Sequence, residues 1–76
     1  MTIQEIKAAV HSAAGTNQKI AMFHLQVLKN ADDLDGISAE GFCSEIGVPL
    51  SYRTEFTKMI SLARLMREQG LRVAVV

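Results

Sequence analysis

The stretch Gly47-Val48-Pro49-Leu50 separates two amphipathic segments, and this break constrains the fold more than any other feature of the chain. Gly47 can end a helix in the left-handed conformation, and Pro49 cannot continue one. Residues 39–46 before the break and 52–69 after it carry apolar residues at helical spacing. A short helix, a sharp turn and a longer helix form the outline of a helix-turn-helix, which can place a helix in the major groove of DNA.

Composition sets the fold class. The chain has 76 residues, enough for one domain, and 49% of them are hydrophobic while only 5% are aromatic. A core made of Ile, Leu, Val, Met and Ala favours helices over a β-sandwich. The single cysteine, Cys43, excludes an internal disulfide and suggests a reducing compartment. No signal peptide or membrane-spanning run is visible, so we expect a cytoplasmic protein without membrane contact.

We predict an all-α, compact four-helix domain over residues 1–76. The domain contains a variant helix-turn-helix and ends in a short β-prone tail. Its helices are predicted at about 3–14, 18–31, 39–46 and 52–69, and its tail at 71–76. Hydroxyl and amide side chains that can cap helices stand at Thr2 (with Glu5), Thr16, Asn17, Ser38 and Ser51.

The last predicted helix has an apolar stripe and a polar outer face. The stripe consists of Tyr52, Phe56, Met59, Ile60 and Ala63. Arginine can pair bidentately with guanine, and hydroxyls can reach phosphates or base edges. The predicted DNA contacts are therefore Ser51, Tyr52, Arg53, Thr54, Thr57, Lys58, Ser61 and Arg64. Any exposed amphipathic helix can carry such residues, which is the alternative interpretation.

The turn departs from the usual helix-turn-helix pattern. That pattern has apolar residues six and nine positions after the turn glycine. Phe56 satisfies the second position, but Arg53 stands at the first, with Tyr52 one residue early. The sequence therefore predicts a variant turn.

The charges are unevenly distributed along the sequence, although the formal net charge is zero. Residues 1–50 carry three lysines against six acidic residues, whereas residues 51–76 carry five basic against two acidic residues. A basic second half suits a face that meets phosphate, although a short chain can show this imbalance by chance. The pI of about 6.7 argues against tight DNA binding by a monomer.

Sites for catalysis or metal binding are not indicated. The sequence has no glycine-rich phosphate loop and no metal-ligand cluster, and its acidic run at 32–36 lacks the bidentate glutamate of a calcium loop. We interpret His11 as a surface residue, His24 as half-buried and Cys43 as a small buried hydrophobe. We therefore expect no enzyme activity, no cofactor and no metal.

The run GVPLSYRTEFTK from Gly47 to Lys58, followed by Ser61-Leu62-Ala63-Arg64, resembles a small bacterial family of helix-turn-helix-like domain proteins. The segment His24-Leu25-Gln26 fits the same pattern, and the resemblance covers about residues 18–66. Met59 replaces a glycine of that pattern. The resemblance implies a small helical DNA-binding protein.

Three partners follow from these features. The first is double-stranded DNA, bound by a transcriptional regulator through the helix at 52–69. The second is another copy of the chain, paired through the apolar tail, whose free edge needs cover. The third is a protein partner. In this alternative the chain is a protein–protein interaction module, an antiactivator or adaptor, which the near-zero net charge and the acidic first half favour.

Overall fold

The computed structural model describes residues 3–73 and has five α-helices in that range. They are α1 (Ile3–Ser12), α2 (Lys19–Lys29), α3 (Ala31–Leu34), α4 (Ala39–Ile46) and α5 (Tyr52–Glu68). A turn of 3-10 helix, Ala14–Thr16, lies between α1 and α2. Residues 3–73 contain no β-strand, so the all-α prediction is confirmed for them.

The core lies where α2, α4 and α5 meet, and α1 packs against α2 and α4 and adds Ile6 and Val10 to it. Side chains at helical spacing enter it because each helix has one apolar face. Helices α2 and α5 run in the same direction, since Phe23 contacts Tyr52 near their starts and Asp32, three residues past the end of α2, pairs with Arg67 near the end of α5. Cys43 is fully buried, as predicted, where α4 meets the core.

The prediction of one continuous helix at 18–31 is wrong, because two helices occupy this region. The number of helices in residues 3–73 is therefore five rather than four. Asn30 leaves the helical conformation (φ −109°, ψ 17°) and separates α2 from α3. Its side-chain Nδ2 and its backbone N–H both donate to the carbonyl of Gln26, at 2.8 and 3.1 Å. An asparagine side chain that competes for a helix carbonyl in this way ends the regular helix.

Of the predicted caps, Ser38 is confirmed, because Gly41 N–H donates to its Oγ at 3.2 Å. Ser51 makes no capping bond, since it has helical dihedrals. The first amide of α5, that of Tyr52, instead donates to the carbonyl of Pro49 at 2.9 Å. Caps at Thr16 and Asn17 are also wrong: the Thr16 hydroxyl donates backwards to Ala13 O, and Asn17 is left-handed.

Two predictions fall partly beyond the described residues. The capping box at Thr2 lies outside them. Of the predicted β-prone tail, Leu71–Val73 has no regular secondary structure, and residues 74–76 lie outside the described range.

The end of α4 is held by a glycine and by α1. Gly47 has φ +78°, and its N–H donates to Cys43 O at 2.9 Å. His11 Nε2 lies 2.8 Å from the carbonyl oxygen of Ile46, the last residue of α4. His11 is exposed, as predicted, and it also joins α1 to the start of the turn.

A polar network joins α2 to α5 beside the core. His24 Nε2 lies 3.0 Å from Glu55 Oε1, and Lys58 Nζ lies 3.2 Å from Glu55 Oε2. His24 is half-buried, as predicted. The hydrogen bonds from His24 and then Lys58 lower the pKa of Glu55 below its ordinary value of 4.5.

Within residues 3–73, no helix combines the length and the apolar character needed to cross a membrane.

Replacing Gly47 with Ala is expected to lower the free energy of unfolding by about 1–2 kcal/mol, because a left-handed residue with a Cβ is strained. That Cβ would lie 3.5 Å from His11 Nε2, an ordinary van der Waals contact, so the expected loss comes from the backbone. Gly15→Ala is the control, since nothing lies within 4 Å of its added Cβ and its φ is not positive. Urea denaturation of both variants measures the difference, and equal stabilities would contradict this account.

Glu55→Gln is expected to remove part of the acid sensitivity of the fold. A lowered folded-state pKa contributes stability that is fully present above pH 4.5 and is lost as the pH falls through the folded pKa. Denaturation midpoints measured from pH 6 to pH 3 should therefore fall less steeply in the variant. Glu40→Gln is the control, because Glu40 is exposed and makes no ion pair within residues 3–73. An unchanged acid profile in Glu55→Gln would count against the network.

Candidate nucleic-acid interface

Helices α4 and α5 and the turn between them form the helix-turn-helix unit. The rings of Phe42 and Phe56 fix the two helices against each other, with centroids 4.8 Å apart. Residues 47–51 form the turn, in which Pro49 and Leu50 are exposed. The unit therefore presents its turn and the first half of α5 to solvent.

Six of the eight predicted DNA contacts are exposed on this part of the unit. They are Ser51 in the turn and Arg53, Thr54, Thr57, Lys58 and Ser61 on α5. Helical spacing arranges those on α5 in two rows, one through Arg53 and Thr57 and the other through Thr54 and Lys58. Ser61 follows both rows at a spacing of three or four. The first half of α5 thus has a continuous polar outer face.

The other two predicted contacts serve the fold. The half-buried ring of Tyr52 packs edge-on against Phe23, with centroids 5.1 Å apart. Arg64 forms a bidentate pair with Asp35, from Nε at 3.3 Å and from a terminal nitrogen at 2.5 Å. This pairing lowers the pKa of Asp35 and raises that of Arg64. Arg64 is therefore less available for phosphate than its position in the sequence suggests.

Ion pairs determine where unpaired positive charge remains on α5. Lys58 pairs with Glu55, Arg64 with Asp35 and Arg67 with Asp32. Arg53 is the α5 cation that makes no ion pair within residues 3–73. Over residues 39–68, four basic residues face four acidic ones, so the unit has no net positive charge of its own.

Two lysines from outside the unit lie beside the turn, and the sequence analysis missed both. Lys7 of α1 comes close to Gly47, where its Cε would lie 3.9 Å from an added Cβ. Lys19 of α2 places its Nζ 5.8 Å from the centre of the Tyr52 ring, a cation–π distance. Lys7 and His11 are four residues apart, so they lie on the same face of α1, and this spacing is the signal in the sequence that both could approach one neighbouring element.

The Cys43 thiol cannot act from this surface. It is fully buried on the inner face of α4, and burial raises its pKa, while Arg53 opposes that rise. Within residues 3–73, no three His, Cys, Asp or Glu side chains are grouped so that they could hold a metal ion. The groups that the surface offers are hydroxyls, ammonium groups and one guanidinium.

Comparison with known families gives one match. A family model described as an HTH-like domain matches residues 1–69, which covers all five helices. Searches of curated proteins and of solved structures gave no match. The chain therefore belongs to the HTH-like domain family.

Proposed function

We propose that the protein is a DNA-binding transcriptional regulator that lays the first half of α5 in the major groove. The observation that carries the proposal is the continuous polar face of α5, flanked at the turn by lysines from α1 and α2. A helix-turn-helix docks in this way, with residues near the start of its second helix on base edges.

The side chains divide into readers and positioning groups. Arg53, unpaired within the described residues, suits bidentate contact with guanine or a phosphate. Thr57 donates its hydroxyl to Arg53 O at 3.1 Å, so its oxygen presents lone pairs that can accept from a base amino group. Lys7 and Lys19 suit the phosphates on either side of the groove, where contacts set orientation without reading sequence.

Affinity for DNA of arbitrary sequence should be modest. Each phosphate neutralised by a cation releases a counterion, and this release dominates nonspecific binding. The chain has no net charge, and the ion pair with Glu55 offsets the charge of Lys58. Tight binding would then depend on base contacts and on more than one copy at the DNA.

A protein-interaction module is the second candidate. Three of the four α5 cations are paired with carboxylates, and Leu62 and Leu65 are exposed on the same helix. Such a surface suits a protein partner better than phosphate. Salt dependence distinguishes the two candidates, since only DNA binding requires counterion release from a duplex.

The double variant Arg53→Ala, Lys58→Ala is expected to bind random duplex DNA more weakly than the wild type. The slope of log affinity against log salt should become shallower by about 0.9 for each of the two side chains that contacts a phosphate. Fluorescence anisotropy over a salt series measures both effects. Arg64→Ala is the control, because it removes a cation of the same helix that is already paired with Asp35. If the wild type fails to bind at low salt, the protein-interaction module becomes the better account.

The variant Lys7→Ala, Lys19→Ala is expected to weaken binding to all duplexes by a similar factor. Contacts to phosphate carry no sequence information, so the ranking of DNA sequences should stay the same while the salt slope becomes shallower. Arg53→Ala should instead change that ranking. Binding to a pool of randomised duplexes, followed by sequencing, measures both properties. If the lysine variant bound DNA with wild-type affinity, α1 and α2 would not be part of the interface.

A further inference from the structure

The second half of α5 exposes apolar side chains that the DNA-binding face does not use. The apolar patch consists of six residues from α2, α5 and the segment after α5. Four of them are exposed and two are half-buried. They are Leu25, Leu28, Leu62, Leu65, Met66 and Leu71.

The patch is continuous across the two helices. Leu28, Met66 and Leu71 line one groove of about 280 Å³. Leu25 lies one helical turn before Leu28, and Leu62 one turn before Met66, so these side chains are neighbours on their helices. Leu65 lies beside Leu62 by the same spacing. A small chain that exposes such a surface commonly uses it for association.

The charges around the patch indicate what kind of partner fits. Asp32 and Arg67 line the groove and pair with each other. Lys29 and Arg72 also line it and make no ion pair within residues 3–73. Two acidic residues that adjoin groove-lining residues in the chain are likewise exposed and unpaired within the described residues: Asp33, next to Asp32, and Glu68, next to Arg67.

A surface with equal numbers of unpaired cations and anions is suited to contact with itself. A two-fold interface brings the same patch from both copies together, so a rim of one sign would repel and a balanced rim can pair. A stable interface takes about 800 Å² from each partner, about a sixth of the 4968 Å² that this chain exposes. One face of the molecule is enough.

We propose that a second copy of the chain docks on the apolar patch to form a two-fold homodimer. Leu65 packs against the groove of the other copy, and Lys29 and Arg72 meet Asp33 and Glu68 across the axis. The proposal does not depend on DNA binding, because Arg53, Thr54 and Lys58 lie toward the other end of α5.

Sedimentation velocity over a concentration range tests the dimer. The wild type should sediment as a dimer, and Leu65→Glu should raise the dimer dissociation constant at least tenfold by burying a charge. Leu50→Glu is the matched control, since Leu50 in the turn is 50% exposed and Leu65 is 52% exposed. It should dimerise like the wild type. Far-UV circular dichroism checks that both variants are folded.

A charge-swapped pair tests the interface without changing an apolar residue. Lys29→Glu, Arg72→Glu makes the unpaired rim acidic, and Asp33→Lys, Glu68→Lys makes it basic. Each variant alone should be a monomer, and an equimolar mixture should restore the dimer. A wild-type monomer at high micromolar concentration, a Leu65→Glu protein that dimerises like the wild type, or a mixture that stays monomeric would each overturn the proposal. These outcomes decide the dimer alone, and the salt titration tests separately whether a single copy binds DNA.

Discussion

The aromatic cluster at the centre of the molecule is the contact on which the rest of the structure depends. The chain has three phenylalanines, one tyrosine and no tryptophan, and all four rings meet there. Phe23 contacts Phe42 at 5.9 Å and Tyr52 at 5.1 Å, and Phe42 contacts Phe56 at 4.8 Å. Such pairs add about 0.5–1.5 kcal/mol each beyond the burial of their area. Because the rings come from α2, α4 and α5, they set how α5 lies and which of its faces remains outside.

Apolar spacing predicted the elements whose stability comes from packing. The bounds of α4 and nearly all of α5 follow from stripes such as Phe56, Met59, Ile60 and Ala63, since a helix must bury a stripe of this kind. The errors occurred where a short polar side chain had two possible hydrogen-bond partners. Asn30 bonds to a carbonyl four residues back and divides the predicted helix. At the start of α5, the first amides donate to the carbonyls of Pro49 and Leu50 instead of to the Ser51 side chain.

The candidate site was predictable only as far as one helix determines it. Once the inner stripe of α5 was known, the outward position of Arg53, Thr54 and Lys58 followed from geometry. The partner of Arg64 lies 29 residues away, and no local pattern specifies it. The same limit hid Lys7 and Lys19, which reach the turn because α1 and α2 pack against the core. Their positions depend on how the helices assemble, which apolar spacing does not specify.

The acidic run before α4 explains why the second half of α5 differs in charge from its first half. Asp35 and Asp32 pair with Arg64 and Arg67, and exposed pairs of this kind contribute little to stability. Their larger effect is to cancel positive charge along the second half of α5, where a net charge of one sign would oppose contact with an identical surface. Arg53, unpaired within residues 3–73, remains at the start of α5, next to the turn that Lys7 and Lys19 flank. Along α5 itself, pairing across the fold therefore leaves the helix start as the place where a cation has no ion pair within residues 3–73, a distribution that composition alone does not give.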